Sequence, residues 1–208
     1  GQGVANAVGL ALAERHMAAI FNKEDIALFD NYTYCVMGDG CLMEGIANEA
    51  LSFAGTNKLN RLICIYDSNN ITIDGDTKQT FTQDTLKVLS GYGFNVIKVE
   101  DGNNVSDIEK AIREAKASDK PTFIEVKTKI GHGSPLEGSA KVHGSPLNDE
   151  ALIELRNNLQ INTEAFGVLD ETKEYFEALK NDQEKRFEEV VAKLNVYKEK
   201  YPQDYAKL

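Results

Sequence analysis

Tyr34-Cys35-Val36-Met37-Gly38-Asp39-Gly40 and Leu62-Ile63-Cys64-Ile65-Tyr66-Asp67-Ser68-Asn69-Asn70 are the stretches whose reading decides the fold. Each is an apolar run closed by glycine or small polar residues, and each is too short for a helix. Both read as buried parallel strands, joined by a helix over residues 43–54 in a right-handed β-α-β crossover. Asp39 and Asn69 then stand at the carboxyl ends of two strands, where open α/β sheets bind ligands. A carboxylate and an amide oxygen converging there suit a hard divalent cation such as Mg²⁺, itself holding a diphosphate. Alone, a Gly-Asp-Gly triplet is an ordinary turn. Paired with the Asn69-Asn70 turn at this spacing, it becomes a candidate site.

Outward from this unit the alternation continues. Residues 4–20 read as a helix rich in small residues, with Val4, Val8 and Leu12 four apart and alanines that allow close approach to a sheet. Residues 71–75 read as a short extended piece ending in a turn. A helix over 84–92, a strand over 95–100, a helix over 105–117 capped by Asn104 or Ser106, and a strand over 122–127 follow. This order specifies an α/β fold: a doubly wound, mostly parallel sheet with helices on both faces. Residues 1–148 are expected to form that domain. Residues 149–208 read as a helical extension, with a short helix over 149–159 and a long charged one over 170–200. Phe176, Leu179, Phe187, Val190, Val191, Leu194 and Tyr197 recur there at helical spacing, the pattern of an amphipathic helix packed on its own domain or a partner.

The chain of 208 residues has a formal charge of −10, which argues against non-specific binding to nucleic acid or to an anionic membrane. No stretch approaches the ~18 apolar residues of a membrane span, and no secretory signal is present. Three cysteines, Cys35, Cys41 and Cys64, cannot all pair, and reduced thiols in a cytoplasmic protein are expected. The sequence opens at Gly1-Gln2-Gly3 without Met, inside what reads as a glycine-rich loop entering a helix. An N-terminally truncated domain is therefore expected.

Asp39 is the central candidate ligand, Asn69 adds an amide oxygen, and the carbonyl of Ile71 lies close enough in sequence to join them. Gly40 beside the acid lets a backbone approach an anionic ligand. A second cluster, residues 127–144, holds Lys127, Lys129, Lys141, His132 and His143 with a single acid, Glu137. It follows a strand at the same sheet edge and can offer cationic or hydrogen-bonding groups to an anion. Glu44 and Glu49 lie on the helix after Gly-Asp-Gly and become candidates by proximity.

Gly-Gln-Gly-Val-Ala-Asn-Ala-Val-Gly (1–9), Tyr-Thr-Tyr-Cys-Val-Met-Gly-Asp-Gly-Cys-Leu-Met-Glu-Gly (32–45), Ala-Gly-Thr-Asn-Lys-Leu (54–59), Tyr-Asp-Ser-Asn-Asn-Ile-Thr-Ile-Asp-Gly (66–75) and His-Gly-Ser-Pro-Leu (143–147) together resemble the transketolases. These are enzymes of the thiamine-diphosphate-dependent superfamily. The resemblance covers residues 1–150 and implies the thiamin-diphosphate-binding fold. It implies that Asp39, Asn69 and the carbonyl of Ile71 hold Mg²⁺ or Ca²⁺, and that Gly40 and Asn69 touch the diphosphate. His143 would contact both cofactor and sugar, as a catalytic residue. Glu44 and Glu49 would line the channel between the two cofactor sites of a homodimer. His132 stands where the family has an aromatic residue and is left out of the site.

The implied reaction moves a two-carbon ketol unit from a ketose phosphate to an aldose phosphate, in pentose phosphate metabolism, with thiamine diphosphate as electron sink. The chain would supply the diphosphate half of the site, and a second domain, beyond these residues, would complete it. Chain alone, it is expected to be inactive. The alternatives are a non-catalytic cofactor-binding or dimerisation module, or a related enzyme such as dihydroxyacetone synthase or deoxyxylulose-phosphate synthase. The strings at 66–75 and 143–147 favour transketolase over the last of these.

Overall fold

Helix α1 (Gln2–Phe21) opens the chain, and strand β1 (Thr33–Gly38) follows. A four-residue helix α2 (Asp39–Leu42) and helix α3 (Gly45–Thr56) lead to strand β2 (Leu62–Ser68). A small hairpin pairs β3 (Ile71–Thr72) with β4 (Gly75–Asp76) antiparallel. Then come α4 (Thr85–Gly91), β5 (Asn95–Val99), α5 (Val105–Ala117) and β6 (Thr122–Lys127), and after a loop α6 (Asp149–Asn158), α7 (Asp170–Lys200) and α8 (Pro202–Tyr205). The computed structural model describes residues 1–208 and separates them into two units, Gly1–His16 with Asp30–Leu159, and Met17–Phe29 with Gln160–Leu208.

The first unit is built on a four-stranded parallel sheet in the order β1-β2-β6-β5. Period-two alternation along each strand gives it two apolar faces. On one, Cys35, Met37, Leu62, Cys64, Tyr66 and Phe123 pack against Val4, Ala7, Val8 and Ala11 of α1, Ala47, Leu51 and Ala54 of α3, and Leu89 of α4. On the other, Ile63, Ile124, Val126 and Val99 pack against Ala111 and Ala115 of α5. Fully burying a side chain such as Leu62 or Phe123 contributes about 1.5–3 kcal/mol, so these two layers hold the sheet together. The doubly wound α/β fold expected from the sequence is the fold observed, with helices on both faces.

Because the strands are parallel, all four carboxyl ends lie along one edge. Register pairs Gly38 with Asp67 and Ser68 with Lys127 across it, so the loops carrying Asp39, Asn69 and Thr128 are adjacent. β1 is an outer strand whose second face is uncovered: Tyr34 is 45% and Val36 is 73% exposed.

Three local differences from the sequence reading appear. The Gly-Asp-Gly turn is the start of α2, with Asp39 in its first turn, and α3 begins at Gly45 rather than near Met43. The expected loop at residues 1–3 is already helix from Gln2. α8 was not foreseen, because it is a single turn set by Pro202 in its first positions.

In the second unit, Tyr197 of α7 is fully buried and its hydroxyl donates to the Phe21 carbonyl at 2.8 Å. Lys23 pairs with Asp204 at 2.7 Å, while Lys200 at 2.9 Å and the Tyr201 hydroxyl at 2.6 Å both meet Asp25. The apolar set expected along α7 is otherwise mostly open: Phe176, Leu179, Phe187, Val190 and Val191 are exposed. Helical spacing marks a face, but only the last turns of α7 have a partner in this chain.

Candidate functional site

Asp39 is only 3% exposed, although it stands at the sheet edge. Its place follows from β1 ending at Gly38 and turning at once into α2, which aims the carboxylate back over the end of β2. Tyr66, one strand over and in register with Met37, donates its hydroxyl to Asp39 Oδ1 at 2.5 Å. The backbone N–H of Asn70 donates to Oδ2 at 3.1 Å. Asn70 adopts a left-handed conformation, φ 61°, which turns the chain sharply after β2 and presents that N–H. Burial pushes the Asp39 carboxyl above the ordinary carboxylate range, while the Tyr66 hydroxyl and the Asn70 and Asn69 amides pull the other way. Burial outweighs these donors.

Asn69 Oδ1 accepts from the Ile71 N–H at 2.9 Å, and Asn69 Nδ2 reaches Asp67 at 3.5 Å. This Asx-type turn holds the amide oxygen and the Ile71 backbone together. An amide oxygen has two lone pairs, so one stays available after this bond. Asp67 is held in turn by the hydroxyl of Thr128 from the loop after β6. Asp39, Tyr66, Ser68, Asn70, Glu125 and Lys127 line a cavity of about 340 Å³. Within it Ser68 donates to Glu125 at 3.0 Å, and Lys127 donates to both Ser68 and Glu125 at 2.8 Å.

Gly40 is exposed, and a Cβ built there would meet no atom within 4 Å. Neither crowding nor backbone angle within the chain demands glycine there, so the position leaves space beside Asp39. Glu44 flanks the start of α3, exposed, with its carboxylate 2.8 Å from the Gly1 amino group. Glu49 is exposed on α3. His143 is exposed at the end of a short 3-10 turn (Ala140–Val142), outside the hydrogen-bonded group around Asp39.

The loop of residues 127–144 is organised by its single acid. Glu137 accepts from the Gly133 N–H at 2.8 Å and lies 3.1 Å from both Lys129 Nζ and His132 Nδ1. The Gly133 amide, then Lys129, hold the Glu137 carboxyl down at a pKa of about 2. Lys127 and Lys129 are thus engaged by Glu125 and Glu137, and the loop's cationic excess is smaller than its composition suggested. Sequence reasoning missed Tyr66, Ser68 and Glu125. The available signal was alternation: all three point to the same sheet face as the buried Cys64 and Phe123, where a polar side chain needs a partner.

No group of three or more His, Cys, Asp or Glu side chains forms a self-sufficient metal site in this chain. The Asp39 environment instead offers one buried carboxylate and, on the adjoining turn, the Asn69 amide oxygen. The two groups that donate to the carboxylate, the Tyr66 hydroxyl and the Asn70 N–H, are both uncharged. That donor set fits a hard cation whose coordination is completed by oxygens of a ligand such as a diphosphate.

The family described as "Transketolase, thiamine diphosphate binding domain" matches residues 1–208. Among curated relatives, the transketolase of Aquifex aeolicus (strain VF5) is 47% identical over 203 residues, covering 97% of this chain and 29% of that protein. Transketolase-1, chloroplastic, of Arabidopsis thaliana is 46% identical over 211 residues, covering 100% of the chain and 28% of that protein. Among solved structures, transketolase from Leishmania mexicana superposes with a TM-score of 0.96 at 41% identity, over 99% of this chain and 31% of that one. The chain spans about 30% of the length of these relatives. With whole-chain coverage, identities above 40% and the same fold, the chain belongs to the transketolase family and corresponds to its thiamine diphosphate-binding domain.

Proposed function

We propose that this chain supplies the diphosphate and metal half of the active site of a transketolase. That enzyme transfers a two-carbon ketol unit from a ketose phosphate to an aldose phosphate. The observation that carries the reading is Asp39: a buried carboxylate at the carboxyl edge of the sheet, beside the Asn69 turn and open space at Gly40. Asp39, Asn69 and the Ile71 carbonyl hold Mg²⁺ or Ca²⁺, and Gly40 and Asn69 border the diphosphate. Thiamine diphosphate, when bound, supplies the electron sink for carbon–carbon cleavage. The chain's own residues anchor and orient it. His143, on the loop following β6, reaches the cofactor and sugar, and Glu44 and Glu49 line the passage between two cofactor sites.

In this reading residues 1–148 are the diphosphate-binding part, and residues 149–208 are a helical extension toward a second domain that completes the site. Pairing of two copies is supported by exposed apolar side chains at Leu10 of α1 and at Ile46 and Phe53 of α3. A cytoplasmic setting is supported by three free cysteines. No helix is long and apolar enough to cross a membrane.

Calorimetric titration of thiamine diphosphate, with and without Mg²⁺, tests the site. Metal-dependent binding is expected, and Asp39→Ala should weaken it by at least about 100-fold, beyond what a merely supporting residue contributes. The melting midpoint of the metal-free protein should be retained. Equal binding by parent and Asp39→Ala would overturn the ligand assignment. The chain alone should not turn over a ketose phosphate and an aldose phosphate, and turnover without an added partner would refute its incompleteness.

A further inference from the structure

We propose that Tyr66 is a positioning residue of the metal site. Its hydroxyl fixes the plane in which Asp39 presents its free lone pairs. This rests on the assignment of Asp39 as a metal ligand.

The terminal torsion of an aspartate is broad, so a carboxylate has no preferred plane unless donors impose one. At Asp39 two donors act on different oxygens, the Tyr66 hydroxyl on Oδ1 at 2.5 Å and the Asn70 N–H on Oδ2 at 3.1 Å. Two bonds from fixed points define a plane where one bond would leave a hinge. Each oxygen keeps a second lone pair for a cation.

The Tyr66 donor is itself rigid. Tyr66 is 3% exposed, sits in register beside Met37 on β1, and its ring packs on Phe123 with centroids 5.7 Å apart. The Ser68 hydroxyl lies two residues along on the same face, donates to Glu125 at 3.0 Å and accepts from Lys127 at 2.8 Å. A buried tyrosine hydroxyl needs a partner, but a core role alone would be met by any carbonyl. Here it meets the one carboxylate that the site depends on.

Two effects of the hydroxyl oppose each other. Donation draws electron density from Asp39 and weakens it as a ligand, whereas orientation strengthens binding. Loss of such an outer partner typically lowers metal affinity by about 10–100-fold, so orientation dominates.

The test titrates Mg²⁺ into the natural full-length protein at saturating thiamine diphosphate, comparing parent, Tyr66→Phe and Asp39→Asn. The melting midpoint of each is measured without metal. Tyr66→Phe keeps the ring and its packing. The expected result is a Mg²⁺ dissociation constant about 10–100-fold higher for Tyr66→Phe, with the metal-free midpoint near that of the parent. Restoring the hydroxyl as 3-fluorotyrosine at position 66 should return the affinity to within about threefold of the parent, a recovery that packing alone would not produce. If Asp39→Asn abolishes Mg²⁺ binding while Tyr66→Phe stays within twofold of the parent, the role of Tyr66 is refuted and the metal site stands. If Asp39→Asn binds Mg²⁺ as the parent does, the metal assignment fails and the role of Tyr66 fails with it. Weak binding accompanied by a lowered metal-free midpoint and no recovery with the fluorinated residue would mark Tyr66 as structural and overturn the proposal.

Discussion

Glu137 gathers a backbone amide, a lysine and a histidine onto one carboxylate, and this gives the loop after β6 its shape. Its pKa lies at about 2, below the ordinary value of 4.5. A depressed carboxylate stabilises the folded loop above the unfolded pKa and loses that contribution as pH falls through the folded one. The loop is therefore expected to hold at neutral pH and to loosen between about 4.5 and 2. Hydrogen exchange reads this at the Gly133 amide. Glu137→Gln should lower the amide's protection factor by about tenfold at neutral pH, the scale of one charge-assisted bond. In the parent, acid should produce the same loss. An unchanged factor would mean that Glu137 does not organise the loop that carries His143.

The contact between helix α3 and the turn from α4 into β5 depends on Gly55. A Cβ there would lie 1.9 Å from the Tyr92 carbonyl oxygen, backbone that has no rotamer to yield. Helix propensity alone would favour Gly55→Ala by about 1 kcal/mol. Overpacking costs about 1–3 kcal/mol, and more where only backbone can move. The clash wins, so Gly55→Ala should lower unfolding free energy by about 1–2 kcal/mol, measured by urea denaturation. A more stable variant would show that propensity outweighs the packing. At this scale the sequence was readable where periodicity and caps agree. α5 runs over Val105–Ala117 as expected, with Asn104 capping through Asp107 N–H, and β6 covers Thr122–Lys127. Short elements were hidden. α2 and α8 have four residues each and carry no periodic signal, being held by what surrounds them.

Across the whole molecule, the sheet edge and the residues on it could be read because parallel strands end together. Asp39 and Asn69 were legible from strand-end placement, and Gly38 opposite Asp67 explains why they meet. What was not legible depends on register between distant strands. The Tyr66–Asp39 bond needs Tyr66 to lie beside Met37, and the Ser68–Glu125–Lys127 group needs β6 to insert between β2 and β5. No local pattern encodes that insertion. The apolar side chains of α7 recur at the spacing of a helix packed on its own domain or a partner, but burial requires a facing surface, and Tyr197 is the one of that set fully buried within this chain.

Strand β1 carries a different kind of consequence. Its outer rim offers unpaired peptide groups, and Tyr34 and Val36 beside them are open to water. Such a rim is a template on which another strand can lay itself down. As an isolated 208-residue chain, the protein should therefore have a low colloidal ceiling, with light scattering that rises steeply with concentration. Val36→Lys places a charge on that rim and should raise the onset concentration several-fold without lowering the melting midpoint, in the way natural sheets protect their borders. Unchanged scattering would locate the self-association elsewhere on the surface. The same rim then sets a practical rule for handling the chain: whatever caps β1 governs how concentrated it can be before it begins to polymerise.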